Sequence, residues 1–348
     1  MAQQHHCHDP LIGQVLDHRY RLENPLGSGT VGTVYRARDL QTQRPVAVKL
    51  WHGSGQSPQV RARFQREAEA LYRLKHPNIV EVFRVGMKDH HPYVVMEFLE
   101  GMSLEDLLSP EQPLRPAVAF SIGRQLLAAL SFAHAQGVVH RDLKPENIFV
   151  QQRGREPQVK LLDFGLAKFL SPGSDPVDGS PITMTGMVLG TPLYMPPEQA
   201  IGDRIDARAD VYAAGCILYE MLAGQPPHLG SDFGELVRAH ITAPVPRLQS
   251  ALVGQYVRPE LQELLDTAMA KAPEQRYADA GQMLAAMQAL PTVPIDPSNS
   301  NPPSTPRPSA VTIPPRPKKA NNGRMLVWGA AVGAVLIVAA ATLIVLLR

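Results

Sequence analysis

The sequence predicts an α+β fold, with strands crowded into about the first hundred residues, helices after them, and a separate apolar helix closing the chain. Three observations carry this reading. Short runs rich in β-branched and aromatic residues, at Tyr20–Leu26, Val34–Ala37, Val46–Lys49, Ile79–Val85 and Tyr93–Met96, are divided by turn-forming residues. From Ser103 onward the apolar spacing becomes three and four, the period of a helix. Met325 to Leu347 is apolar and uncharged; about 23 residues rising 1.5 Å each give roughly 34 Å, enough to cross a bilayer's hydrocarbon core.

Composition sets limits. Length allows roughly two domains, and 34 basic against 32 acidic residues give no reason to expect nucleic-acid binding. Two cysteines, Cys7 and Cys216, cannot form a disulfide scaffold, and Cys216 lies in an apolar segment that suits a buried free thiol. The first residues are polar, with no apolar core region, so no signal peptide is expected. His5, His6, Cys7 and His8 are metal-ligand types, but adjacent histidines do not easily close a tetrahedral site. Residues 1–17 are therefore expected to be a disordered tail without assigned function.

The strand from Tyr20 breaks at Gly27-Ser28-Gly29-Thr30-Val31-Gly32 and resumes at Val34. The glycines thus sit at a hairpin tip, where missing side chains let backbone N–H groups approach phosphates. A dinucleotide-binding reading needs a helix directly after them, whereas Thr33 to Ala37 reads as a return strand. Val46-Ala47-Val48-Lys49 is an apolar strand ending in a charge. A helix over about 60–74 buries Phe64, Ala68, Leu71 and Leu74 on one face. Glu67 lies on that face while Glu69 points away, so Glu67 needs a charged partner. His76-Pro77-Asn78 ends the helix.

Glu97-Phe98-Leu99-Glu100-Gly101 leads into the helical part. Ser103 caps a short helix through Leu108, and Pro116 opens a longer one through Ile122, Leu126, Leu127 and Leu130 to Gly137. Asp210 to Leu218 is apolar nearly all round, the mark of a buried helix, and is too short to span a bilayer. Further amphipathic helices run to about Leu290.

Between these helices lie His140-Arg141-Asp142-Leu143-Lys144-Pro145-Glu146-Asn147 and then Leu161-Leu162-Asp163-Phe164-Gly165. Phosphoryl transfer passes through a loose transition state, so a protein mainly aligns the attacking oxygen and neutralises phosphate charge. Asp142 fits the first task as the carboxylate that orients a hydroxyl and accepts its proton. Asp163 and Asn147 are hard oxygen ligands of the kind Mg²⁺ prefers. Lys144 can reach the migrating phosphate as a point charge.

These motifs, in this order, resemble the protein-kinase signature set, and about Tyr20 to Leu290 is similar to the bacterial Hanks-type serine/threonine kinases. The resemblance implies a bilobal fold, with a small β-rich N-lobe carrying one helix over about 18–98 and a larger helical C-lobe over about 101–290. It implies ATP and Mg²⁺ as cofactors, with Mn²⁺ an alternative metal, and Ser or Thr hydroxyls of proteins as substrates. It makes Lys49 the lysine that grips the α- and β-phosphates, Glu67 its partner, Met96 the gatekeeper, and Glu97 and Leu99 the backbone contacts to adenine. Leu26, Val34, Ala47 and Phe149 would sandwich the base. Asp163 to Glu198 becomes the activation segment, its centre rich in loop-forming residues. Thr183 and Thr185 stand where the family's activation threonines do, and a phosphate there would pair with Arg141. Thr191 and Lys144 resemble the serine/threonine branch. Asp210 would brace the catalytic loop from beneath, and Arg276 would pair with Glu198. Met195-Pro196-Pro197-Glu198 departs from the family's Ala-Pro-Glu at Pro196, which bears on the shape of the substrate pocket. A pseudokinase scaffold is the alternative class and a small-molecule kinase a third; no expected polar catalytic residue is missing, and a long activation segment is present.

Composition changes at Pro291. Residues 291–324 are proline-rich with few large apolar groups and read as a disordered linker. Residues 325–347 read as a transmembrane helix, with Arg316, Lys318, Lys319 and Arg324 before it and Trp328 near its start. The positive-inside rule puts the kinase domain in the cytoplasm, as a single-pass protein anchored in the lipid bilayer by its C-terminus. Only Arg348 follows the span, so no outer sensor domain is expected on this chain. Gly329 and Gly333 form a small-x-x-x-small pattern that suits a homodimer.

Overall fold

In the computed structural model, residues 9–29, 32–52, 64, 71–109, 113–153, 156–164, 192–248 and 256–290, with the backbone of 295–296, are described. The chain divides into two units, Met1–Ser304 and Thr305–Arg348, and every described residue belongs to the first. The span 325–347 with Gly329 and Gly333, nearly all of the linker 291–324, and the His5, His6, Cys7, His8 cluster lie outside the described residues.

Six antiparallel strands build the first part, in the order β1-β2-β3-β4-β6-β5. They are β1 (Val15–Leu16), β2 (Tyr20–Ser28), β3 (Gly32–Asp39), β4 (Pro45–Trp51), β5 (Val82–Lys88) and β6 (His91–Glu97). Alternation along each strand gives the sheet two apolar faces. On one, Leu16, Tyr20, Leu22, Tyr35, Val48 and Val95 belong to a closed cluster. On the other, Ala47, Val80 and Met96 gather with Val34, Leu99 and Leu162, and this second face borders the site.

Two expectations are corrected here. The ordered chain begins before residue 18: Leu16 pairs with Tyr20 and is buried, and the Tyr35 hydroxyl donates to the Asp9 carboxylate at 2.8 Å. A two-residue strand shows no alternation, so residues 9–17 read as tail. The strand expected from Ile79 starts at Val82, because the backbone just before it is engaged elsewhere. Val80 N–H donates to the Leu161 carbonyl at 3.0 Å, and Leu161 N–H donates to the Asn78 carbonyl at 2.8 Å. Asn78 Nδ2 also donates to Gln125 Oε1 and the Val159 carbonyl, both at 2.9 Å, so this segment fastens the strand-rich part to the helical part.

A second small sheet, β7 (Met102–Ser103), β8 (Ile148–Arg153) and β9 (Glu156–Leu161), opens the helical part. Ser103 and Asp106 form a reciprocal capping box on helix α1 (Leu104–Leu107). Helix α2 (Pro116–Ala135) begins on proline, whose missing N–H removes one unsatisfied donor. By length and composition α2 could cross a membrane, but Ile122, Leu126, Leu127 and Leu130 are almost fully buried, which marks a core helix. Each such leucine contributes roughly 2 kcal/mol by burial. After α3 (Pro197–Ile201), helix α4 (Ala207–Ala223) runs through the core, buried at every position from Ala209 to Leu222. Asp206 caps its start, and Gly224, at φ +79°, ends it in a left-handed conformation that favours glycine. Helices α5 (Phe233–Thr242), α6 (Pro259–Ala268) and α7 (Ala280–Ala289) complete this part. Cys216 is a buried free thiol, pushed up to about 12 by burial.

Two buried histidines make stability depend on pH. The Lys271 ammonium donates to His228 Nε2 at 3.1 Å, and the Tyr212 hydroxyl lies 2.9 Å from His240 Nδ1. Burial first, and then the charge of Lys271, lowers His228 to about 3 and His240 to about 4. Both folded values lie below the ordinary value near 6.5, so the unfolded chain binds protons first. Their contribution is therefore full above about pH 6.5 and is lost as pH falls toward 4, by up to about 1.4 kcal/mol per unit for each histidine. Thermal unfolding followed from pH 7 to 4.5 should show this decline, and His228→Gln should make it shallower; an equal slope in the variant would exclude His228 as a cause.

Candidate active site

The β8–β9 hairpin brings the two acidic motifs together. Ile148 pairs with Leu161, and Leu162 N–H donates to the Asn147 carbonyl at 2.8 Å, so Asn147 and Asp163 leave neighbouring strand ends. His140 locks the same junction, its Nε2–H donating to the Leu162 carbonyl at 2.7 Å while its ring packs 4.9 Å from that of Phe164.

Beneath the loop, Asp210 on α4 is 1 % exposed and accepts three hydrogen bonds. The donors are His140 N–H at 2.7 Å, Arg141 N–H at 2.9 Å and His134 Nε2–H at 2.9 Å. Burial opposes ionisation of this carboxyl, but the His134 bond, the two histidines and the loop amide together hold it below the usual carboxylate range. Arg141 has φ +64° and Asp163 φ +48°, conformations unfavourable for residues with a Cβ, by of order 1–3 kcal/mol each. Asp210, by fixing the amide N–H groups on both sides of the His140 Cα, supplies what holds the first of them.

Above the brace, Asp142, Lys144 and Asn147 are linked. Lys144 Nζ is 3.3 Å from Asp142 Oδ2, and Asn147 Nδ2 donates to the Asp142 carbonyl at 2.8 Å and to Oδ2 at 3.4 Å. With its amide nitrogen so used, Asn147 keeps its side-chain oxygen as an acceptor. Burial works against the charge on Lys144, but Asp142, Glu146 and Asp163 raise its pKa and keep it protonated.

Lys49 reaches the same place from β4, its Nζ 2.5 Å from Asp163 Oδ2. Glu67, the partner expected for it, lies outside the described residues, as does Glu69. Phe64, Leu71 and Leu74 are buried. At the glycine hairpin, Gly29 N–H donates to the Gly32 carbonyl at 2.9 Å and Ser28 Oγ lies 3.0 Å from Thr33 Oγ1, while Thr30 and Val31 lie outside the described residues. Gly32 has no alternative, because a Cβ there would sit 2.5 Å from the Leu50 carbonyl oxygen.

Val34, Ala47, Met96 and Leu99 share one apolar cluster. Leu26 is half exposed and Phe149 sits on β8 beside Gly101; neither belongs to that cluster. Val80 and Leu162 do belong to it and were missed, since nothing in the sequence separates them from ordinary core residues. Glu97 places its carboxylate 2.5 Å from Lys160 Nζ, which secures the segment after β6. Farther off, Arg276 and Glu198 form a buried bidentate pair with both contacts at 2.8 Å. Pro196 takes the extended cap position before α3 and Pro197 its first turn, so the two prolines fit without distortion. Residues 165–191, with Thr183, Thr185 and Thr191, lie outside the described residues.

A strand-rich part and a helical part that meet at linked acid, lysine and amide groups define a protein-kinase-like phosphotransferase. Residues 20–290 match the protein kinase domain, and the chain belongs to that family, in its bacterial Hanks-type serine/threonine branch. It is 39 % identical over 317 residues to the serine/threonine-protein kinase pkn3 of Myxococcus xanthus, covering 89 % of this chain and 56 % of that relative. With the serine/threonine-protein kinase PknL of Mycobacterium tuberculosis it shares 38 % identity over 283 residues, 81 % of this chain and 68 % of PknL. Among solved structures, Rad53 1–466 in complex with AMP-PNP is similar, with a TM-score of 0.62 and 27 % identity, covering 76 % of this chain and 64 % of Rad53.

Proposed function

We propose that this chain is an ATP- and Mg²⁺-dependent protein kinase that phosphorylates Ser and Thr hydroxyls at the cytoplasmic face of a membrane. The observation that carries the reading is the linked set Asp142, Lys144 and Asn147, with the Lys49–Asp163 pair beside it. The names of pkn3 and PknL support the serine/threonine specificity, and the AMP-PNP held by Rad53 supports a nucleotide site.

In this reading the hydroxyl oxygen forms a bond to the γ-phosphorus as the bond to the β–γ bridging oxygen breaks, and ADP leaves. Asp142 orients the hydroxyl and takes its proton; Lys144 offsets charge on the migrating phosphoryl group. Lys49 holds the α- and β-phosphates, the glycine hairpin Gly27–Gly32 covers them, and Glu67 positions Lys49. The base lies between Leu26, Val34, Ala47 and Phe149, behind it Met96, with the backbone of Glu97 and Leu99 as its polar contacts; Val80 and Leu162 extend the apolar slot. Asn147 and Asp163 fit Mg²⁺, or Mn²⁺, because each offers a hard oxygen donor. A hard cation held by one or two side chains and phosphate oxygens suits such a donor set, and when bound it neutralises phosphate charge.

Thr183 and Thr185 are read as autophosphorylation sites whose phosphates pair with Arg141, and Thr191 as a serine/threonine-branch residue beside the substrate. The linker 291–324 tethers the domain to a transmembrane helix at 325–347, where Gly329 and Gly333 favour a homodimer. This membrane reading is supported by the uncharged span and the basic residues before it.

The full-length chain should transfer phosphate to a threonine-containing protein or peptide and leave an aminoalcohol untouched; the reverse pattern would identify a small-molecule kinase. Lys49→Met should raise KM for ATP or lower turnover by about 100-fold or more, as expected when a phosphate-positioning charge is deleted. Steady-state kinetics over a range of ATP concentrations would measure it.

A further inference from the structure

Trp51 ends β4 two residues after Lys49, so strand alternation sets both side chains on one face of the sheet. The Lys49 ammonium lies 5.3 Å from the centroid of the Trp51 ring while also carrying the ion pair to Asp163. The ring is 2 % exposed and meets Phe64 edge-on, with centroids 5.6 Å apart and planes at 74°. Its backbone faces Gly32, where a Cβ would stand 3.1 Å from the Trp51 Cα. One residue thus touches the lysine, the helical residue Phe64 and the exit of the glycine hairpin.

The Trp51 indole brings a polar group that packing alone does not need. Its Nε1–H is buried without a hydrogen-bond partner among the described residues. A buried unpaired donor is unfavourable, and phenylalanine or leucine would avoid it, although each is smaller than indole and leaves a void. What tryptophan adds over both is the strongest aromatic face for a cation.

We infer that Trp51 is a positioning residue for Lys49, its indole face holding the ammonium where nucleotide phosphates arrive. The inference rests on the reading of Lys49 as the phosphate-gripping lysine. It is specific to the face of the ring: Trp51→Leu should raise KM for ATP by about 3- to 30-fold with a smaller change in kcat, the range of a partly desolvated cation–π contact. Trp51→Phe keeps an aromatic face and should restore much of that loss, and its smaller void should lower the thermal midpoint less than Trp51→Leu does.

The test uses the full-length chain carrying Trp328→Phe, which leaves Trp51 the sole tryptophan of the two in the sequence. ATP titration, with binding followed independently by calorimetry, should change Trp51 emission as Lys49 exchanges Asp163 for phosphate. Binding without any emission change, or Trp51→Leu lowering the thermal midpoint while KM stays at the parental value, overturns the inference. Absence of nucleotide binding by the parent chain would instead overturn the kinase reading beneath it.

Discussion

Asp142→Asn is expected to lower phosphate transfer by about a thousandfold while nucleotide affinity stays within about twofold of the parent. The asparagine is nearly isosteric and keeps the backbone carbonyl that Asn147 Nδ2 bonds at 2.8 Å. What it loses is the acceptor for the hydroxyl proton and the negative partner of Lys144, 3.3 Å away. Nucleotide contacts are assigned to other residues, so kcat should carry the loss and KM for ATP should not. Single-turnover kinetics beside calorimetric nucleotide binding would separate the two. A variant retaining more than about a tenth of parental turnover would remove Asp142 from the role of base.

Arg276→Met is expected to have the largest effect on stability. Arg276 and Glu198 side chains are 0 % and 5 % exposed, and Arg276 also donates to the carbonyls of Ala270, Arg208 and Lys271. Removing the arginine strands a buried carboxylate and three carbonyl oxygens. Losing one partner of a buried pair costs about 3–5 kcal/mol, which for a domain of this size lowers the unfolding midpoint by roughly 6–15 °C. Scanning calorimetry would measure the shift. A change under about 2 °C would mean that Glu198 finds water or another donor when Arg276 is gone.

The groups proposed for catalysis could be picked out in the sequence because the chain supplies them almost contiguously. Asp142, Lys144 and Asn147 span six positions of one loop, and Asp163 follows a hairpin whose alternation is itself readable. The strand carrying Lys49 and the all-round apolar helix at Asp210–Leu218 were legible for the same reason, since local pattern and burial agree.

What escaped was information held only in three dimensions. Lys49 meets Asp163 across 114 residues, and no spacing rule relates them. Val80 and Leu162 join the slot beside Ala47 and Met96, yet each is a plain apolar residue in an apolar run. Ile79 reads as strand by composition, but its neighbours spend their backbone hydrogen bonds on β9, so the strand starts later. The short β1 carries too few residues to show a period, and Trp51 resembles any core aromatic until the ammonium of Lys49 is seen over its face.

The measurement that tests the central claim most directly is transfer from γ-labelled ATP by the full-length chain in a bilayer, with and without a Mg²⁺ chelator, followed by mapping of the labelled residues. Metal-dependent label on threonine or serine, including Thr183 or Thr185, is the predicted result. No label on any hydroxyl while calorimetry still records nucleotide binding would contradict it and leave a nucleotide-binding scaffold in its place.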